Sequence, residues 1–501
     1  MKKNVLALSI ATAVVGFAGS AHAIQTLGTA ATATQLAFGD TGIGHMLLVP
    51  YFTTQNGNAT LLSLVNTDTV NGKAVKVRFR GAKNSDDVFD FQVFLSPGDV
   101  WTANVSQNSA GKSFLTTEDN SCTRPKSVNR EFITDRVSGK VDKNGETLEG
   151  YVEIFNMADI VKDSLVYNVI KHKNGKAPCW DSAVPAELAA WNKLSNDLAA
   201  EADYALLGLV NPTTGLMGNW TIMNVPKALS WSGSATAIQA VKADGTLGTG
   251  NVVYFPQTNN PVAAANVALF TADPVLNTPA AAVAAAMYDL PDMSTPYLNG
   301  AATPSKQAED LAKSIATTHV INEFWTDDGI MANTDWVFSM PTRRYAVAMD
   351  YKNDKALQNT ANVLHFDTNK NVVKNGDALC VNDPSATIWG REEETEVASN
   401  EDVISPGTPA EKKAFCGEVS ILTFGEEATS SKSAVLSAKL ALSGVDSSKY
   451  QNGWADLATP GATGVGLPII GGAFASAYNQ AVDQGTSGNF SVTWGHRFIR
   501  P

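Results

Sequence analysis

Residues 75–80 read Val-Lys-Val-Arg-Phe-Arg, and this alternation constrains the fold more than any other stretch of the chain. A period of two puts Val75, Val77 and Phe79 on one side and Lys76, Arg78 and Arg80 on the other, the pattern of a strand. The next run repeats it, with Phe89, Phe91, Val93 and Leu95 alternating with Asp90, Gln92 and Phe94. Residues 81–87 between them carry loop chemistry. Ser96-Pro97-Gly98-Asp99 then supplies a tight turn, because Pro presets φ at the first central position and Gly admits positive φ at the second. Trp101, Ala103 and Val105 continue the alternation against Thr102 and Asn104. These strands predict an antiparallel sheet whose apolar face is buried against a second layer and whose Lys/Arg face meets solvent or a partner.

Residues 45–52 and 59–66 extend the pattern upstream across the Gln55-Asn56-Gly57-Asn58 turn. Further strand patterns lie at 150–156, 218–225, 334–340, 344–351, 416–425, 433–442, 467–470 and 490–494. Helical spacing marks 185–204, through Leu188, Trp191, Leu194 and Leu198. It also marks 306–325, through Ala308, Leu311, Ile315, Ile321 and Phe324 with Ser305 as N-cap, and a short helix is predicted at 279–288. The expected architecture is mainly β, an antiparallel β-sandwich with helical and long-loop insertions. An irregular lead-in, 24–44, precedes a sandwich assembled from 45–106, 149–225 and 334–501. The insertions are 107–148, 185–204, 232–333 and 352–413.

Met1-Lys2-Lys3, an apolar run over 5–19 and Ala21-His22-Ala23 form a Sec-type signal peptide spanning 1–23. The apolar run is short for a membrane anchor. The net charge of −12 is spread along the chain and argues against nucleic acid or anionic lipid as partners. Residues 457–482 lack charge, but their five Gly and two Pro argue against a spanning helix, so no transmembrane span is expected in the mature chain. The cysteines number four: Cys122, Cys179, Cys380 and Cys416. In an exported chain an even count suggests two disulfides. Three pairings are open, and closing the shorter loops favours Cys122–Cys179 with Cys380–Cys416.

Catalytic signatures are missing: there is no H-E-x-x-H, nucleophile elbow, P-loop or dinucleotide-binding glycine pattern. Asp86, Asp87 and Asp90 are a candidate calcium site, because calcium takes six or more oxygen ligands and such loops supply them. Asp327, Asp328 and Asp335 form a second acidic cluster and Glu392–Glu394 a third. Of the tryptophans, Trp101, Trp336 and Trp494 sit inside strand patterns as core. Trp180, Trp231 and Trp389 sit in loops, and Trp231 and Trp389 are the candidate ligand-binding residues.

The segments GHMLLVPYFTTQNGNATLLSLVNTDT, VKVRFRG and DDVFDFQVFLSPGDVWTA, with TDWVFSMPTRR, GLPIIGGAFAS and WGHRFIR, resemble exported proteobacterial proteins that carry a general cell-surface description. The resemblance is densest over 44–106. It implies a Gram-negative envelope setting and assigns no residue a role. The expected function is a non-enzymatic cell-surface or extracellular structural or interaction protein, acting by self-association or with other surface proteins through unpaired strand edges. The alternatives are a periplasmic or extracellular glycan or small-ligand binding module and, behind it, a secreted hydrolase.

Overall fold

The computed structural model describes residues 31–137, 142–195, 201–257, 270–277, 290–300, 303–382, 385–393, 395–397, 414–424, 432–438, 441–445, 452–478 and 488–501. The signal peptide and the short helix expected at 279–288 lie outside the described residues.

The fold is mainly β and almost wholly antiparallel, and its strands form four large sheets arranged as two packed pairs. Sheet I runs in the spatial order Gln35–Phe38, Thr236–Val241, Met46–Thr53, Glu149–Ile160, Gly72–Gly81, Asp87–Leu95, Cys122–Arg124. Sheet II follows the order Arg130–Glu131, Ser113–Thr116, Val100–Gln107, Asn58–Asn66, Leu216–Asn224, Leu229–Ser234. Val75, Val77, Phe79, Phe91 and Val93 of sheet I meet Leu62, Leu64, Trp101, Val105 and Ile222 of sheet II in one core. Strands thus also form within four stretches expected to be loop: Gln35–Phe38 in the lead-in; Ser113–Thr116, Cys122–Arg124 and Arg130–Glu131 in 107–148; Thr236–Val241 in 232–333; and Lys355–Gln358, Val372–Asn375, Ala378–Asn382, Ser385–Gly390 and Thr395–Val397 in 352–413.

The C-terminal half makes a second pair where the sequence reading assembled one sandwich. Sheet III is ordered Thr395–Val397, Ser385–Gly390, Asn452–Ala458, His319–Trp325, Arg497–Ile499. Sheet IV is ordered Ala441–Val445, Val419–Phe424, Asn333–Ser339, Ile470–Tyr478, Asn489–Gly495, with its first pair parallel. Phe324, Ile388, Ala455 and Leu457 pack against Trp336, Phe338, Leu422 and Phe424 between them. The opposite face of sheet IV, with Val337, Ile421 and Phe474, joins the core of the first pair. Sheets II and IV meet edge to edge: Ser491 Oγ accepts from Ser230 N (3.0 Å) and donates to the Ser230 carbonyl (2.6 Å). The central strands of sheet IV are therefore buried on both faces, and the charge-free stretch 457–482 supplies one of them. Among the described residues no helix is long and apolar enough to cross a membrane.

The helix predicted over 306–325 stops early. It spans Pro304–Ser314, with Pro at the first turn and Thr303, not Ser305, as the cap that accepts from Lys306 N (3.2 Å). The β-branched residues Thr317, Thr318, Val320 and Ile321 then favour extended backbone, and His319–Trp325 becomes a central strand of sheet III. The helix predicted at 185–204 forms as Pro185–Lys193 and Glu201–Leu207.

The outer face of sheet I is covered, against the expectation that its cations meet solvent or a partner. Lys76, Arg78 and Arg80 do not face water; they are 2%, 1% and 0% exposed. Segments 252–257, 270–277 and 290–298 cover them, together with Leu165–Ile170 and Pro185–Lys193, in a third core containing Phe94, Phe155, Trp191 and Tyr254. Buried charge survives only when paired and hydrogen-bonded, and here it is. Arg78 Nε lies 3.0 Å from Asp87 Oδ2, and its Nη1 donates to the Pro291 carbonyl (2.7 Å). Arg80 Nη2 lies 3.2 Å from Glu153 Oε2. Lys76 pairs with Asp90 and donates to Gln257 Oε1 (2.8 Å).

Both disulfides form with the favoured pairing. Cys122–Cys179 ties the edge of sheet I to the segment between two helices, and Cys380–Cys416 joins directly opposed strands.

Candidate functional site

The outer face of sheet III is built by the same period of two that fills its core. In Asn452–Ala458, Gly453, Ala455 and Leu457 point inward, so Trp454 and Asp456 point out. In Ser385–Gly390, Ile388 is buried and Thr387 and Trp389 face out. In His319–Trp325, Val320 and Phe324 are core, leaving His319, Ile321, Glu323 and Trp325 outside. Register then sets neighbours: Trp454 lies opposite both Trp389 and Glu323, and Ile321 lies opposite Arg497.

Trp389 and Trp454 stack with ring centroids 3.9 Å apart and planes 9° from parallel, and Trp454 stays 39% exposed. At the end of the same face Trp325 meets Trp494 edge-on at 4.5 Å. Trp325, Trp389 and Trp454, together with Glu323, Arg391, Glu393 and Arg497, border a groove of about 780 Å³. Arg497 is positioned from beneath: its Nη1 donates to Asn322 Oδ1 (3.1 Å), and Asn322 Nδ2 donates to His496 Nδ1 (2.9 Å). The His496 ring is buried, and its other nitrogen, Nε2, donates to the Val337 carbonyl (3.1 Å). Burial lowers the His496 pKa to about 3, so this support is a neutral imidazole over the physiological range. A smaller hollow, about 500 Å³, on the outer face of sheet II is lined by Ser63, Thr102, Asn104, Thr116 and Thr221 and offers no aromatic surface.

Of the two tryptophans singled out, only Trp389 reaches this groove. Trp231 is 1% exposed, sits in the strand Leu229–Ser234 and donates its indole N–H to the Ala475 carbonyl (2.8 Å), so it is core and closed to ligands. Trp180 lies partly buried over Trp191 at 5.4 Å, with the Arg124 guanidinium against both rings. Trp454, Trp325, Glu323 and Arg497 were not singled out. The alternation Gly453, Trp454, Ala455, Asp456, Leu457 was the available signal for the first of them. Placing Trp325 in a helix hid the second and third.

The calcium candidates lead elsewhere. Asp87 Oδ2 is shared by Arg78 and by Arg136 Nη1 (2.8 Å), Asp90 pairs with Lys76, and Asp86 accepts from the Tyr351 hydroxyl. Burial pushes the Asp86 carboxyl up to about 7, against the pull of Tyr351 and Arg344. Burial alone would also raise Asp90, but Lys76 and Arg78 outweigh it and hold it well below the usual carboxylate range. Among the described residues no group of three or more His, Cys, Asp or Glu side chains is placed to hold a metal ion. In the second acidic cluster, Asp335 accepts from Val435 N (3.1 Å) and Leu436 N (2.8 Å), while Asp327 caps a short turn through Gly329 N (2.8 Å).

The histidines split likewise. His45 accepts from Ala240 N (3.0 Å) through Nδ1 and donates to the Gly248 carbonyl (3.0 Å) through Nε2, and burial lowers its pKa to about 4. His319 alone stands on the open face of sheet III, 2.8 Å from Asp456. The groove thus offers aromatic surface, one guanidinium and one carboxylate on strands (Arg497, Glu323) and a second of each in the turn after Gly390 (Arg391, Glu393). The displaced pKa values of Asp86, Asp90, His45 and His496 belong to buried structural networks. The chain matches no protein-family model, no curated protein and no solved structure.

Proposed function

We propose that the protein is an exported, non-enzymatic interaction protein of the cell surface or extracellular space, and that it binds its partner along the groove of sheet III. The observation that carries the reading is the Trp389–Trp454 stack, kept in water on a chain that buries Trp101, Trp191, Trp231 and Trp336. Clustered aromatic surface left exposed costs solvation unless a partner covers it, and aromatic and Arg side chains are the usual anchors of recognition. Export is supported by the signal-peptide pattern of residues 1–23 and by two disulfides, which persist in oxidising compartments. Assembly by strand addition has less support. One edge of sheet II is taken by sheet IV, and the Gln35–Phe38 edge of sheet I lies against the helix Pro304–Ser314.

Two measurements test the reading. Fractionation of Gram-negative cells producing the full chain is expected to recover it outside the inner membrane with both disulfides formed. Cytoplasmic retention with free thiols overturns export. Binding of the purified protein to isolated cell envelopes is expected to fall at least tenfold in the double variant Trp389→Ala/Trp454→Ala. Unchanged envelope binding by that variant, or no envelope binding by the wild type, overturns the groove as the interaction site.

A further inference from the structure

The groove's chemistry narrows its ligand. We propose that it binds a neutral oligosaccharide, with a sugar ring laid against the Trp389–Trp454 pair and its hydroxyls held by Arg497 and Glu323. This rests on the reading of the groove as the binding surface and adds the class of ligand.

Three observations carry it. The first is charge balance. Arg391 and Arg497 face Glu323 and Glu393 across one groove, and Arg391 further pairs with Glu392. With Glu392 beside the rim the carboxylates outnumber the guanidinium groups by one, so an anionic ligand gains no net attraction, while a cationic one still meets Arg391 and Arg497. Nucleic acid needs a surplus of cations, which this face lacks. The second is the alternation of apolar and polar surface. Indole rings offer a flat apolar face, while guanidinium supplies only donors and carboxylate only acceptors. A hydroxyl is a neutral group that accepts from the first and donates to the second at once. A pyranose ring combines such hydroxyls around its edge with a face of C–H bonds, which fits an indole. A lipid chain would leave the charged rim unpaired, and a plain aromatic molecule would leave it unused.

The third is size and rigidity. About 780 Å³ is ligand-sized and bordered by three neighbouring strands, which suits several linked rings more than one. The platform is held before any ligand arrives. Ser385–Gly390, Asn452–Ala458 and His319–Trp325 form a continuous ladder beneath it, and Gly453 lets two strands close up, since a Cβ there would stand 2.1 Å from the Trp389 carbonyl oxygen. Arg497 is fixed through Asn322 and His496. Preorganisation of this kind lowers the ordering cost that weakens binding to flexible surfaces.

The test is isothermal titration and tryptophan fluorescence of the disulfide-bonded mature protein with cellohexaose, chitohexaose, mannohexaose and, as the anionic comparison, hexagalacturonate. The expected result is saturable binding of at least one neutral hexasaccharide. Affinity should drop tenfold or more in Trp454→Ala and be largely kept in Trp454→Phe, with both variants melting within a few degrees of wild type. Arg497→Ala should weaken binding as well, whereas Thr102→Ala on the sheet II hollow should not. Preference for hexagalacturonate, binding of neutral sugars that ignores Trp454 and Arg497, or no binding of any of the four overturns the saccharide assignment. Failure here with envelope binding that still depends on Trp389 and Trp454 leaves the groove as an interaction site for another ligand. Loss of that dependence as well removes both.

Discussion

The outer faces of sheets I and III invert the usual relation between composition and exposure. Sheet I presents Lys76, Arg78 and Arg80 outward, and the insertion layer buries all three. Sheet III presents Trp389, Trp454 and Ile321 outward beside Glu323 and Arg497, and that face stays open. The difference lies in what the rest of the chain supplies. Over sheet I, carboxylates from neighbouring strands stand at ion-pair distance and loop residues such as Gln257 and Pro291 complete the hydrogen bonds. Over sheet III, no described segment forms a covering layer comparable to that core. Exposure is thus decided by the presence of a lid with matching chemistry, and a charged face with such a lid is part of the interior.

The sharpest way to break the comparison is to remove one charge from the covered face. Glu153 serves both Arg80 and, at 3.8 Å, Arg78. Glu153→Ala takes the 3.2 Å carboxylate from buried Arg80, while Arg78 keeps Asp87, and single deletions of that kind cost about 3–5 kcal/mol. Urea unfolding should show a lower midpoint at unchanged slope. A loss under about 1 kcal/mol would mean that the covering layer opens to water and that the two faces differ less than described. Next in size is Trp231→Ala. Its ring is core, so truncation should cost about 3–5 kcal/mol, toward the low end if sheet IV settles into the gap. A near-neutral result would put Trp231 back among the surface residues.

Much of this was legible in the chain. The alternation at 75–80 and 89–95 set strands, register logic and the mainly-β class, and it held because a period of two leaves no helical reading. What alternation cannot say is whether the second face meets water. For Val75, Val77 and Phe79 the choice was fixed by hydrophobicity. For Lys76, Arg78 and Arg80 it depended on Asp87, Glu153 and on segments 252–257, 270–277 and 290–298, distant in sequence and loop-like in pattern. The same limit applies to the site. Trp389 was visible as a tryptophan outside a recognised strand, and so was Trp231, yet one is stacked at the surface and the other buried. Burial followed from pairing partners: Leu229–Ser234 abuts sheet IV, whereas Ser385–Gly390 lies next to Thr395–Val397, the last described strand of sheet III. The strand His319–Trp325 was missed because Ile315, Ile321 and Phe324 also fit a helical stripe, and only the β-branched run Thr317, Thr318, Val320 and Ile321 argues otherwise.

A smaller effect separates the two faces by pH. Asp86 sits at the rim of the covered network, and burial raises its pKa from near 4 to about 7. A raised folded-state value means that the native state holds the proton more tightly. This contribution to stability is complete below about pH 4 and is lost as the pH rises through about 7. Asp86→Asn keeps a neutral acceptor for Tyr351 and removes the titration. Its stability relative to wild type should therefore rise from pH 5 to pH 8, by a few kcal/mol at most. His45 and His496 titrate in the opposite sense, their contribution being lost as pH falls from about 6.5 through about 4 and 3, but they are common to both proteins and cancel in the difference. A pH-independent difference would show that Asp86 is solvated and that the network ends short of it.

The smallest effect on stability is expected at the open face, and its smallness is what gives it value. Trp454→Ala removes one half of a stacked pair whose outer surface is already in water. The loss is the pair interaction, about 0.5–1.5 kcal/mol, plus the little area that burial protects. Beside Trp231→Ala this sets the same residue type, the same truncation and two environments in one chain. If both variants lost equal stability, the Trp389–Trp454 stack would be a structural clasp on sheet III and its exposure incidental. If Trp454→Ala melts near wild type while envelope binding falls, the ring was kept at the surface at some cost in solvation for a purpose other than folding. The comparison of the two faces then becomes one of roles: sheet I spends its charges on holding a layer in place, and sheet III leaves its aromatics to be covered from outside.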